Sequence, residues 1–171
     1  MAAWEKAERF ELLWAPASKG LSAALATLHV AFGAAVVAGW IYRIPLLKGE
    51  RFGTLVEPNT ALLFIVAGLG VLASQFSART PFMGWLVIIL GLGIAMFAAA
   101  TGAQYIAHID LGIDQVFLRA RLSDWTQSGT LPGRMAAPTA VAFTLAGISL
   151  AALRGKRLPM VDWTASGVFA I

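Results

Sequence analysis

The chain contains no cysteine. Thiolate zinc sites, iron–sulfur ligation and redox dithiols are therefore excluded. Charge is also scarce. Asp, Glu, Lys and Arg make up 13% of the 171 residues, about half of the roughly 25% typical of a soluble domain. Apolar residues reach 58%. An ordinary soluble domain, a disordered chain and a collagen-like repeat do not have this composition. Histidine occurs twice, as His29 and His108. With so few polar groups, no serine–histidine–acid set or paired-carboxylate constellation emerges, and the sequence reads as non-enzymatic.

What charge there is falls outside the long apolar runs. The formal net charge is +4, yet the basic residues are dispersed over short segments. They form no stripe of the kind that tracks a nucleic-acid backbone, so nucleic acid is not an expected partner. An excess of basic residues beside apolar runs suits anionic lipid headgroups instead.

Four runs are apolar on every face, at about 20–42, 60–76, 81–103 and 135–153. The first, about 23 residues at 1.5 Å rise, reaches roughly 34 Å, enough to cross a hydrocarbon core. Strands would alternate with period two, and an open sheet in lipid leaves backbone groups unpaired. The expected fold is therefore all-α: an integral membrane four-helix bundle, 20–155, with short interfacial helices. One of these occupies 1–19, where Trp4, Ala7, Phe10, Leu13 and Trp14 recur at helical spacing and Pro16 ends the run. Another is expected at about 111–122, where Ile113, Val116, Phe117 and Ala120 share a face. Residues 156–171 form a C-terminal tail. The six tryptophans, Trp40 and Trp85 among them, read as anchors at the lipid–water boundary. The Arg154-Gly155-Lys156-Arg157 cluster beside a helix end places both termini in the cytoplasm, with loops 43–59 and 104–134 outside.

Residues 60–68, TALLFIVAG, align without gaps on residues 139–147, TAVAFTLAG. Each run is introduced by a proline, Pro58 or Pro138. This predicts two repeated helical hairpins inserted the same way round, related by an axis along the membrane normal. Small residues follow the repeat. Ala61, Gly68, Ala140 and Gly147, with Gly84 and Gly91, are the expected points of close helix approach.

His29 is the only histidine inside an apolar run. A neutral imidazole flanked by Ala26, Gly33 and Ala34 can ligate a tetrapyrrole, of chlorophyll type or haem, provided the small residues leave room for the ring. The competing reading is a histidine hydrogen-bonded within the bundle, near Thr101 or Gln104. His108, Asp110 and Asp114 have weak metal spacing. The two carboxylates read more simply as N-terminal charges of the surface helix. No ionisable carboxylate or basic residue falls within the four runs, which argues against an ion or proton pathway.

Three segments resemble a known family. They are Pro58-Asn59-Thr60-Ala61-Leu62-Leu63-Phe64, Tyr105 through Gln115 with its Leu111-Gly112-Ile113-Asp114, and Pro132-Gly133-Arg134-Met135-Ala136-Ala137-Pro138-Thr139-Ala140. In order and spacing they resemble the multi-helix membrane module at the N-terminus of many bacterial sensor histidine kinases and diguanylate cyclases. In that family an LGID stretch follows the third helix and a GRM-x-x-x-TA stretch opens the fourth. The resemblance covers about 20–155. It implies a sensory or anchoring input module in the bacterial inner membrane. The family's chemistry resides in soluble domains that follow. This sequence has no glycine-rich nucleotide loop and no phospho-acceptor helix, so a signalling partner chain is implied. The alternative expectation is an accessory subunit of a larger, energy-converting membrane complex, packed against other membrane subunits.

Overall fold

The computed structural model describes the backbone of residues 3–77, 80–118 and 131–153, and side chains within these ranges from residue 18 onward. The described residues form four α-helices and no strand. These are α1 (Ala3–Tyr42), α2 (Pro58–Ser74), α3 (Pro81–Ala107) and α4 (Ala137–Ala152). Prolines open three of them: Pro58, Pro81 and Pro138 each stand in a first turn, where the missing N–H would have had no partner. Thr80 caps α3, its hydroxyl accepting from Met83 N at 3.3 Å. His108 ends it in the left-handed conformation, φ 54°.

Two sequence expectations are corrected. Pro16 does not end a separate interfacial helix, because α1 runs unbroken from Ala3 to Tyr42. A proline removes one donor and costs about 3 kcal/mol in a helix interior. The alanines on either side are the strongest helix formers and carry the helix past it. The expected surface helix at about 111–122 is also absent over its described part. Ile113–Gln115 make one 3-10 turn, with Val116 N donating to Ile113 O, while Asp114 O accepts from the Asn59 side chain. Residues 119–122, the tail 156–171 and the 154–157 basic cluster lie outside the described residues.

α1 packs on α2, α3 packs on α4, and α2 touches all three other helices. Both antiparallel pairs close through glycine. A Cβ at Gly68 would stand 2.6 Å from Ala26 O, and one at Gly147 would stand 2.5 Å from Ala95 N and 2.6 Å from Gly91 O. No side chain fits at those distances, so the backbones themselves are in contact. Ala61 and Ala140 are fully buried beside them, and Gly84 and Gly91 are buried along α3. Phe64 and Phe143, which the sequence alignment pairs, meet edge-to-face across the seam with centroids 5.0 Å apart. Gly70 admits the Leu150 side chain nearby.

The outer faces are apolar. Leu28, Ile89, Met96 and Val141 are each at least 60% exposed, and exposed apolar residues recur on all four helices. Exposed large apolar side chains in this number are unusual on a soluble monomer. Two helical stretches, Ser18–Tyr42 and Pro81–Ala107, are long and apolar enough to cross a membrane. α2 and α4, with 17 and 16 residues, are apolar but shorter than the roughly 20 residues an untilted span requires.

Candidate functional site

The polar chemistry gathers at one end of the bundle, where α1 and α3 finish and α2 and α4 begin. Arg134 and Asp114 form the centre. Neither was expected to be buried, yet their side chains are only 9% and 3% exposed. The expectation that Asp110 and Asp114 serve as N-terminal charges of a surface helix is corrected here. Arg134 Nε donates to Asp114 Oδ2 at 2.6 Å. Gln104, from the last turns of α3, donates through Nε2 to both Asp114 oxygens, at 3.3 and 3.2 Å. Its Oε1 accepts from Arg134 Nη2 at 3.0 Å and from Leu111 N at 2.7 Å. Asp110 completes the ring from the solvent side. Its Oδ1 accepts from Arg134 Nη2 at 3.2 Å and from Gly112 N at 3.0 Å.

Asn59 ties this cluster to the other helix pair. From the first turn of α2, its Nδ2 donates to Asp114 O at 2.7 Å, with longer contacts to Ile113 O and Gly133 O. Desolvating an ion pair costs several kcal/mol per ion, and a buried pair persists only when its remaining valences are met. They are met here: among the described residues no buried side-chain nitrogen or oxygen lacks a partner.

Each helix pair also ends in an aromatic hydrogen bond. Trp40 Nε1 donates to Val56 O at 2.8 Å, and Tyr105 Oη donates to Met135 O at 2.8 Å. The register that aligns 60–68 on 139–147 also aligns Val56 on Met135. A cation lies over each ring. Lys48 Nζ is 4.9 Å from the Trp40 centroid, and Arg134 Cζ is 5.7 Å from that of Tyr105. Trp40 is thus a buried structural group, 1% exposed, not the boundary anchor its sequence position suggested. Trp85 and Tyr42 are exposed.

Glu57, immediately before α2, accepts from Thr60 Oγ1 at 3.1 Å. Burial pushes its carboxyl above the usual carboxylate range, and its hydrogen bonds offset part of that rise.

The other singled-out residues lie apart from the cluster. His29 Nδ1 makes a 2.7 Å hydrogen bond with Leu25 O one turn back, and its ring tilts against Phe64 at 5.5 Å. Gly33 does not leave space beside it for a macrocycle, because Ala61 O and the Ile65 side chain of α2 occupy that face. Thr101, the other polar group of that expectation, donates to Phe97 O. His108 is exposed at the end of α3. No group of three metal-ligating residues occurs among the described residues.

Above the cluster opens a cleft of about 370 Å³, lined by Gln104, Tyr105, His108, Ile109, Asp110, Leu131 and Arg134. The chain matches no protein-family model, no curated protein and no solved structure.

Gln104, Asn59 and Arg134 were missed as a site because each looks ordinary alone. A signal was nevertheless present. Asn59, Asp110, Asp114 and Arg134 all fall within the three segments that carry the family resemblance, and the fold brings those three segments to one point.

Proposed function

We propose that the chain is a non-catalytic input module of a bacterial inner membrane, acting through a partner chain. In this reading all four helices cross the bilayer as two repeated hairpins, α1–α2 and α3–α4. The termini are cytoplasmic, and the Arg134 cluster faces outward. The observation that carries it is the convergence of the three resembling segments on one buried polar cluster. The matched contacts of Gly68 and Gly147, the two aromatic hydrogen bonds and the Phe64–Phe143 contact support the repeat. α2 and α4 are short for spanning, but the polar cluster at their starts can sit at headgroup depth, and local thinning of the bilayer accommodates the remainder. Asn59 gives the reading a route. A change at Arg134 or Asp114 reaches the first turn of α2 through one side chain and travels along that helix to the cytoplasmic end.

The absence of cysteine makes the topology directly testable. Single cysteines at Glu50 and His108 should react with a membrane-impermeant maleimide in intact cells, and one at Ser77 only after lysis. Labelling of the Ser77 variant in intact cells refutes the arrangement. Purification of the full chain from its host in mild detergent tests the role. A signalling protein in the eluate supports the module, and a stoichiometric set of energy-converting subunits refutes it.

That second outcome belongs to the accessory-subunit reading.

A further inference from the structure

We infer that the cleft over Arg134 binds a small anion with an apolar body, which takes the place of Asp110 on the guanidinium. This deepens the proposed function and rests on it, since it supplies the stimulus such a module would receive.

Three features select the ligand class. The first is the unequal hold on the two carboxylates. Asp114 is buried, with Arg134 and Gln104 both donating to it, whereas Asp110 is 49% exposed and shares a single guanidinium nitrogen. Asp110 can therefore leave at small cost, and its departure leaves Arg134 and Asp114 as a neutral pair. An incoming carboxylate or phosphate restores the charge that was there before. The second feature is the guanidinium itself, which lines the cleft and whose Nη1 donates to none of the described residues. Together Nη1 and Nη2 present the two-pronged edge that fits a planar carboxylate. The third is the rim. Ile109 and Leu131, 46% and 41% exposed, line the cleft together with Tyr105 and offer an apolar seat.

A cation fits less well. It would be held by Asp110 alone, with the guanidinium 3.2 Å from the same carboxylate. The first hairpin's cation is placed differently. Lys48 there lies buried over Trp40, with its carboxylate partner Glu50 two residues along the same loop.

The test is equilibrium dialysis of radiolabelled benzoate against the full chain in phosphatidylcholine nanodiscs. Saturable binding is expected. Asp110→Asn, which removes the internal competitor's charge and leaves its shape, should tighten it by about tenfold. Arg134→Lys, which keeps the charge and loses the two-pronged edge, should weaken it by at least about tenfold. Inorganic phosphate should compete more weakly than benzoate, for want of an apolar body. No saturable binding to wild type and Asp110→Asn, both folded in nanodiscs, overturns the proposal, as does Asp110→Asn binding no tighter than wild type. Replacing part of the phosphatidylcholine with phosphatidylglycerol identifies the source. Displacement of benzoate assigns the site to a lipid phosphate, and unchanged binding assigns it to a soluble anion; both uphold the site. Failure of the underlying membrane reading looks different: the chain would then be monodisperse in buffer without any amphiphile.

Discussion

The two helix pairs end alike and hold their charges differently. In both, an aromatic side chain near the end of the first helix donates to a carbonyl two residues ahead of the second helix, and a cation lies over the ring. At the α1–α2 end the cation and its carboxylate are neighbours in sequence, Lys48 and Glu50. The loop folds back on itself through Val56 N to Lys48 O, and Glu50 is 38% exposed. At the α3–α4 end the partners come from three separate segments, and the central pair is buried. One end is therefore a local cap, and the other is a junction on which the tertiary arrangement depends.

The largest effect that tests this contrast is loss of the buried pair. Arg134→Met leaves Asp114 buried and unpaired and should cost about 3–5 kcal/mol. Lys48→Met breaks a pair whose carboxylate is half-exposed and should cost about 1 kcal/mol or less. Denaturant unfolding of the full chain in detergent micelles measures both, and equal losses would erase the distinction between cap and junction.

Next come the glycines. Gly68→Ala and Gly147→Ala each force a Cβ to within 2.7 Å of backbone atoms and should each cost about 1–3 kcal/mol. The same unfolding assay should return similar values if the pairs are true repeats. A large loss at one and none at the other would break the equivalence.

Smaller still, Trp40→Phe and Tyr105→Phe each remove one donor from a partly buried carbonyl. About 1 kcal/mol is expected from each hydrogen bond, with an added packing loss for the smaller ring at Trp40. Tyr105→Phe should thus be the milder change, and a Tyr105→Phe loss as large as that of Arg134→Met would make the hydrogen bond, not the ion pair, the junction's main support.

The smallest effect is a pH dependence at the first end. Burial raises the Glu57 pKa in the folded state, so folding favours the protonated form. The stability this contributes is fully present below the ordinary carboxylate pKa. It is lost as pH rises through the elevated folded value. The residue aligned with Glu57 is Ala136, which does not titrate. Glu57→Gln should flatten this part of the stability–pH profile, as read by thermal unfolding at a series of pH values. An unchanged slope would show that another group carries it.

Much of the helical frame was legible in the sequence, and the boundaries show why. The apolar runs expected at 60–76, 81–103 and 135–153 became helices at Pro58–Ser74, Pro81–Ala107 and Ala137–Ala152. Prolines fix such starts sharply, because only a first turn tolerates them. Helix ends were less legible. α3 continues to Ala107 because Gln104 and Tyr105, polar enough to suggest a loop, find partners inside the fold. Trp40 misled for a related reason: a terminal tryptophan suits a lipid boundary and a buried carbonyl equally, and only the position of Val56 decides between them. The candidate site was the least legible part. Its four central side chains, Asn59, Gln104, Asp114 and Arg134, share no periodicity, and Asn59 meets Asp114 across 55 residues of chain.

Composition and hydrophobic patterning by themselves settled that this chain is helical, that apolar surface dominates it, and where its three proline-opened helices begin, since these follow from local backbone chemistry and the scarcity of charge. Which carboxylate would be buried, and which arginine would meet it, was decided only when the helix pairs came together. A charge leaves water only when partners from distant segments arrive to replace the solvent, and that condition is written in three dimensions.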